Sequence, residues 1–154
     1  MLYIIAIFNG LKIKFIQYVM LHFLNLVLFS KDGDNYYTKM YECLNDYYSI
    51  YNNHQDVNVK TVFYVYREQD EEYIFDESTN VLYIQGEKEG WHNYSTTIIQ
   101  KTLKAFKYFE NDIHKYDYII RNNISTIVDF KLLAKELENN PISFYGVVLK
   151  IICN

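Results

Sequence analysis

Apolar positions in this chain fall in short runs separated by polar clusters, and their spacing switches between strand and helix periods. Residues 24–30 (LNLVLFS) form a nearly continuous apolar run that enters Lys31-Asp32-Gly33-Asp34, which predicts a buried strand and a turn. Asp32 or Asp34 then stands in position to cap a helix over 35–51, along which Tyr36, Met40, Cys43, Leu44, Tyr47 and Tyr51 follow a helical period. Asn52-Asn53-His54-Gln55 ends that helix, and the β-branched and aromatic stretch 59–66 (VKTVFYVY) predicts a second strand. Residues 72–75 and 81–85 flank a polar pentapeptide and predict a hairpin or two short strands. A polar loop over 86–92 carries the only Trp. A helix is predicted over 94–109, with Ile98, Ile99, Leu103, Phe106 and Phe109 available for its buried face. Then come a strand over 116–121 (YDYIIR), a polar stretch 122–126, a short amphipathic helix over 130–138 and a last strand or strand pair over 142–151.

The order β-α-β-(ββ)-α-β-α-β predicts an α/β fold with a mostly parallel sheet flanked by helices. No repeat, linker or low-complexity stretch divides it, so one domain is expected over 24–154, with an apolar extension over 1–23. The first 29 residues are interrupted by Asn9, Gly10, Lys12, Lys14, Gln17, His22 and Asn25. A membrane-spanning helix needs about 20 nearly uninterrupted apolar residues, and no small-residue cleavage site follows an apolar core. An amphipathic segment, an upstream extension of the start codon and an N-terminal membrane anchor all stay open.

Half of the 154 residues are apolar and 22% are charged, the balance of a globular chain. The net charge of −4 and the absence of clustered Lys and Arg exclude a nucleic-acid footprint. Seventeen tyrosines and ten phenylalanines against one proline reflect AT-rich coding first, although tyrosines on a surface can also stack on sugar rings. Cys43 and Cys153 have no CxxC partner and make neither a zinc site nor a disulfide framework. A reduced, cytoplasmic compartment is the simpler expectation.

In open α/β sheets, ligands sit beyond the carboxyl ends of the strands. Two predicted strand ends are followed by polar clusters, at 30–34 and at 121–126. Asp32 and Asp34 offer oxygen ligands that suit Mg²⁺ or Mn²⁺, and equally make a turn with a helix cap. An EF-hand is excluded because Tyr36 occupies the third ligand position. Arg121 can pair with a diphosphate through bidentate hydrogen bonds, and Asn123 and Ser125 with sugar hydroxyls or a cation. The alternative is a loop whose Asn and Ser side chains satisfy local backbone groups. The four histidines show no metal spacing, no Ser or Cys sits in a nucleophile motif, and there is no phosphate-cradling glycine loop. Glu68, Asp70, Glu71 and Glu72 form a solvated acidic run. The tripeptides Asn93-Tyr94-Ser95 and Asn123-Ile124-Ser125 match the glycosylation pattern, which recurs by chance in an Asn-rich chain.

Lys101-Thr102 inside a helix, then YDYIIR, a polar tetrad and Ile127-Val128-Asp129-Phe130, resembles the core of Fringe-like β-1,3-glycosyltransferases of the GT-A type. Arg121 falls on that family's basic position, and Asn123 and Ser125 fall on the first and third positions of its DxD motif. The form Arg121–Thr126 is more similar still to a divergent group of glycosyltransferase-like proteins of giant viruses and some bacteria, with Asn122 in place of their Thr. Residues 29–37 (FSKDGDNYY) resemble that group's first strand and turn. The resemblance covers about residues 24–149. It implies a GT-A-like donor-binding domain in which Ser30, Asp32, Asp34, Lys101, Arg121, Asn123 and Ser125 face a nucleotide-sugar donor, with a glycan or protein hydroxyl as acceptor. The family's DxD carboxylates hold Mn²⁺ or Mg²⁺ against the donor diphosphate, whereas Asn123 and Ser125 are neutral, weaker ligands. Family members continue beyond the position of Asn154, so the expectation is a domain incomplete at its C-terminus, with no catalytic base identifiable. A catalytically inactive binding or interaction module is the alternative.

Overall fold

The computed structural model describes residues 2–9, 12–29, 35–86 and 94–140. Strands β1 (Leu2–Asn9) and β2 (Lys12–Val19) pair antiparallel as a separate two-stranded sheet, in register from Leu2↔Val19 to Asn9↔Lys12. Strand β3 (Leu21–Leu28) then begins three residues before the predicted domain start. Among the described residues no helix is long and apolar enough to cross a membrane.

Helix α1 (Asn35–Ser49) leads to β4 (Val57–Arg67), followed by β5 (Tyr73–Asp76), β6 (Val81–Gln85), α2 (Tyr94–Tyr108), β7 (Tyr118–Asn123) and α3 (Phe130–Asn139). The five later strands form one sheet in the order β5-β6-β4-β3-β7. All neighbours are parallel except the β5–β6 pair. The fold is therefore α/β, with a mostly parallel sheet flanked by helices. The expected hairpin closes at Asp76, whose carboxylate accepts from the Ser78 amide and hydroxyl, while Asn80 takes a positive φ of 54°. Asn tolerates that backbone better than most residues. The last predicted strand, over 142–151, lies outside the described residues.

Right-handed crossovers to opposite sides of β3 require helices on opposite faces. Two separate cores follow. On one face Phe23, Val27, Val59 and Phe63 pack against Leu44 and Tyr48 of α1 and Phe130 and Leu133 of α3. On the other, Leu24, Leu26, Val62 and Leu82 pack against Ala105 of α2 and Phe109 just beyond it. Strand residues alternate between these cores, as the pleat dictates. Because both faces are covered, β3 and the second half of β4 read as nearly continuous apolar runs, broken by Asn25 in β3.

The helix faces differ from those the spacing predicts. Along α1, Tyr48 is buried and Tyr36 and Cys43 are exposed. Along α2, Ile99 and Leu103 are about 60% exposed (60% and 63%), while Lys101, Ala105 and, just past the helix end, Phe109 face inward at i, i+4 and i+8. Apolar side chains occur on both sides of α2, so periodicity alone does not select the face, and the side that matches the sheet includes a lysine.

Candidate functional site at the carboxyl end of the sheet

The strand order reverses at β3, which lies centrally between β4 and β7, and the carboxyl ends of β3 and β7 meet where α/β sheets hold ligands. The main-chain pairing extends to that end, since Ile124 N donates to Leu28 O (3.0 Å) and Phe29 N to Tyr64 O (3.1 Å). Strand β7 runs two residues further than predicted, to Asn123, so Arg121, Asn122 and Asn123 alternate in direction instead of sharing one polar loop.

Arg121 points toward α2. Its Nε donates to the Tyr64 hydroxyl (3.3 Å), which lies 2.9 Å from Thr102 Oγ1. Thr102 spends its single proton on the Ile98 carbonyl (2.8 Å), so the Tyr64 hydroxyl donates to Thr102 and accepts from Arg121. The half-buried guanidinium is thus oriented by a one-way chain of hydrogen bonds. Its two terminal nitrogens have no hydrogen-bond partner and no ion pair among the described residues.

Lys101 is buried beside this chain, with Nζ 3.4 Å from Phe29 O at the end of β3 and 5.3 Å from the Tyr66 ring centroid. Lys104 approaches the same ring at 5.5 Å and donates to Gln85 O (2.9 Å) at the end of β6. Gly86 closes the other approach: a Cβ there would meet Tyr66 Cδ1 at 2.7 Å. Three cationic side chains therefore converge on the carboxyl ends of four parallel strands, around two tyrosines.

Asn122 turns the other way and is not part of this surface. It is buried, and its Nδ2 donates to Asn25 Oδ1 (3.1 Å), while Asn25 Nδ2 donates to Thr61 Oγ1 (3.2 Å). Asn122 Oδ1 has no partner among the described residues. Above this polar row stands Tyr48, whose hydroxyl donates to Thr126 O (3.2 Å) and accepts from Val128 N (3.2 Å). Burial pushes the Tyr48 phenol up, more than its hydrogen bonds to Val128 and the two Asn amides pull it down. One phenol from α1 thus pins the segment that follows the site strand.

Of the residues predicted to face a donor, Lys101 and Arg121 meet on the α2 side. Asn123 and Ser125 are exposed at a tight turn closed by Thr126 N donating to Asn123 O (2.9 Å). Ser30, Asp32 and Asp34 lie outside the described residues. Asp129 is committed elsewhere: its carboxylate caps α3 by accepting from Lys131 N and Leu132 N, both at 3.0 Å. Tyr48 and Tyr64 escape a sequence reading, because each acts on a segment 57 to 80 residues away. Compared with family models, curated proteins and solved structures, the chain matches none.

Proposed function

We propose that this chain is the donor-binding domain of a GT-A-type glycosyltransferase, one that moves a sugar from a nucleoside-diphosphate sugar to a glycan or protein hydroxyl. One observation carries the reading: Arg121, whose terminal nitrogens have no partner among the described residues, and the buried Lys101 converge at the carboxyl ends of β3 and β7. That is where a parallel sheet presents ligands, and two cations there suit a diphosphate. The resemblance of residues 101–130 to Fringe-like enzymes supports the same assignment. Donor binding without transfer is the second reading. It is favoured by Asp129, the carboxylate nearest in sequence to the polar tetrad, being held in a helix cap instead of free to act as a base.

The test is calorimetric titration of the chain with a panel of nucleotide sugars, followed by assay of free nucleotide release with candidate acceptors. Saturable binding of one donor together with nucleotide release supports a transferase. Binding with no release under any acceptor selects the binding module. A cooperatively folded sample that binds no donor overturns both.

A further inference from the structure

We infer that Arg121, held in orientation by Tyr64 and Thr102, receives the diphosphate of the ligand directly and that no divalent cation is required there. This rests on the reading of the sheet end as a nucleotide-sugar site. Of the described residues, the two that fall on the motif's metal-binding positions are an amide, Asn123, and a hydroxyl, Ser125, and both are neutral. Neutral oxygen donors beside a permanent guanidinium charge are a poor fit to Mn²⁺ or Mg²⁺ and a good fit to an anion.

The hydrogen-bond directions say how the guanidinium is presented. Thr102 is fixed as an acceptor toward Tyr64 because its proton goes to Ile98 O. Tyr64 in turn offers its lone pairs to Arg121 Nε. With Nε engaged, the two terminal nitrogens, unpartnered among the described residues, form a planar pair of donors, the geometry that matches two phosphate oxygens. Tyr64 and Thr102 act as positioning residues for that pair. They come from β4 and α2, so the orientation of a β7 side chain is set by elements on which it does not lie.

The experiment is titration of the full chain with uridine, guanosine and adenosine diphosphates and with inorganic pyrophosphate, in EDTA and again in Mn²⁺. At least one diphosphate is expected to bind saturably in EDTA, with affinity changed less than about threefold by Mn²⁺. Arg121→Gln should weaken it roughly tenfold to a hundredfold, the range for a charge-assisted hydrogen bond. Arg121→Lys should weaken it about tenfold, because the charge stays and the planar fork is lost. Tyr64→Phe should weaken the wild-type chain severalfold and the Arg121→Lys chain not at all, since lysine has no Nε for Tyr64 to hold. A purely structural Tyr64 would cost the same in both backgrounds, and that result overturns the positioning role. Binding that requires Mn²⁺, or that Arg121→Gln leaves intact, overturns the inference and leaves the donor-site reading standing. No binding of any diphosphate or nucleotide sugar, with or without Mn²⁺, overturns the donor-site reading itself.

Discussion

Single side chains in this molecule do work out of proportion to their size, and Tyr48 is the clearest case. Its hydroxyl satisfies a part-buried carbonyl at Thr126 and a buried amide at Val128, the second of which cannot turn to water. Tyr48→Phe preserves the ring's packing against Phe130 but strands both backbone groups. The expected cost is about 1–3 kcal/mol, the penalty for leaving buried polar groups unmade. Urea unfolding should report it as a lower midpoint at an unchanged slope. Gly86 tests packing instead of polarity. Gly86→Ala forces a methyl against the Tyr66 ring near its root, where the side chain has little freedom to yield. Overpacking of this kind costs about 1–3 kcal/mol. The same substitution in a Tyr66→Ala background should cost much less, because the clashing ring is gone, and additivity of the two changes would show that Tyr66 is not the obstacle.

At the level of elements, α3 shows how a motif residue can serve structure. Asp129 begins the helix with an extended backbone and two amide hydrogen bonds to its carboxylate. Asp129→Ala should lower stability by about 1 kcal/mol, and Asp129→Asn should restore most of it, since both Asp and Asn cap well. A larger effect of Asn on ligand affinity than on stability would instead mark Asp129 as part of the binding surface. Strands β3, β4, β6 and β7 are legible in the sequence because each carries a run of β-branched, aliphatic or aromatic residues at its centre or start. Helix faces are less so: Ile99 and Leu103 look like core residues, yet Lys101 takes the inward position, beside a carbonyl and a ring. The N-terminal strand pair is not evident from the apolar content of residues 1–23, which fits an amphipathic segment or an anchor equally well. Asn9-Gly10 between two apolar runs is a hairpin signal that composition hides. The position of Arg121 near the carboxyl end of a strand is legible, although β7 continues two residues beyond it. Its partners are not, because Tyr64 and Thr102 are distant in sequence and meet it only when β4 and α2 assemble beside β7. By composition the tetrad 122–125 reads as one polar loop, whereas β7 continues to Asn123 and sends Asn122 into the opposite core.

For the molecule as a whole, the abundance of tyrosine becomes a statement about pH. Composition gives seventeen tyrosines, and the fold decides which of them it buries. In Tyr41, Tyr48, Tyr51, Tyr73 and Tyr116, burial is the largest influence and pushes the phenol above its ordinary value, to about 12 for Tyr73. The sign of the consequence follows from linkage. Below about pH 10, folded and unfolded chains both keep these protons, and stability is unaffected. Above it the unfolded chain gives up protons that the folded chain retains, so the stability is lost as pH rises from about 10 through the raised values. Each retained proton contributes a slope of at most about 1.4 kcal/mol per pH unit. Several such groups acting together against a stability of about 5–15 kcal/mol should make alkaline unfolding steep. Tyrosinate absorbance and far-ultraviolet circular dichroism, followed together through an alkaline titration, measure this directly. The expected result is a late wave of phenol ionisation that coincides with loss of secondary structure. A single ionisation centred near pH 10, with the dichroism unchanged, would mean that these rings are open to solvent and that the two cores flanking the sheet are looser than their packing requires.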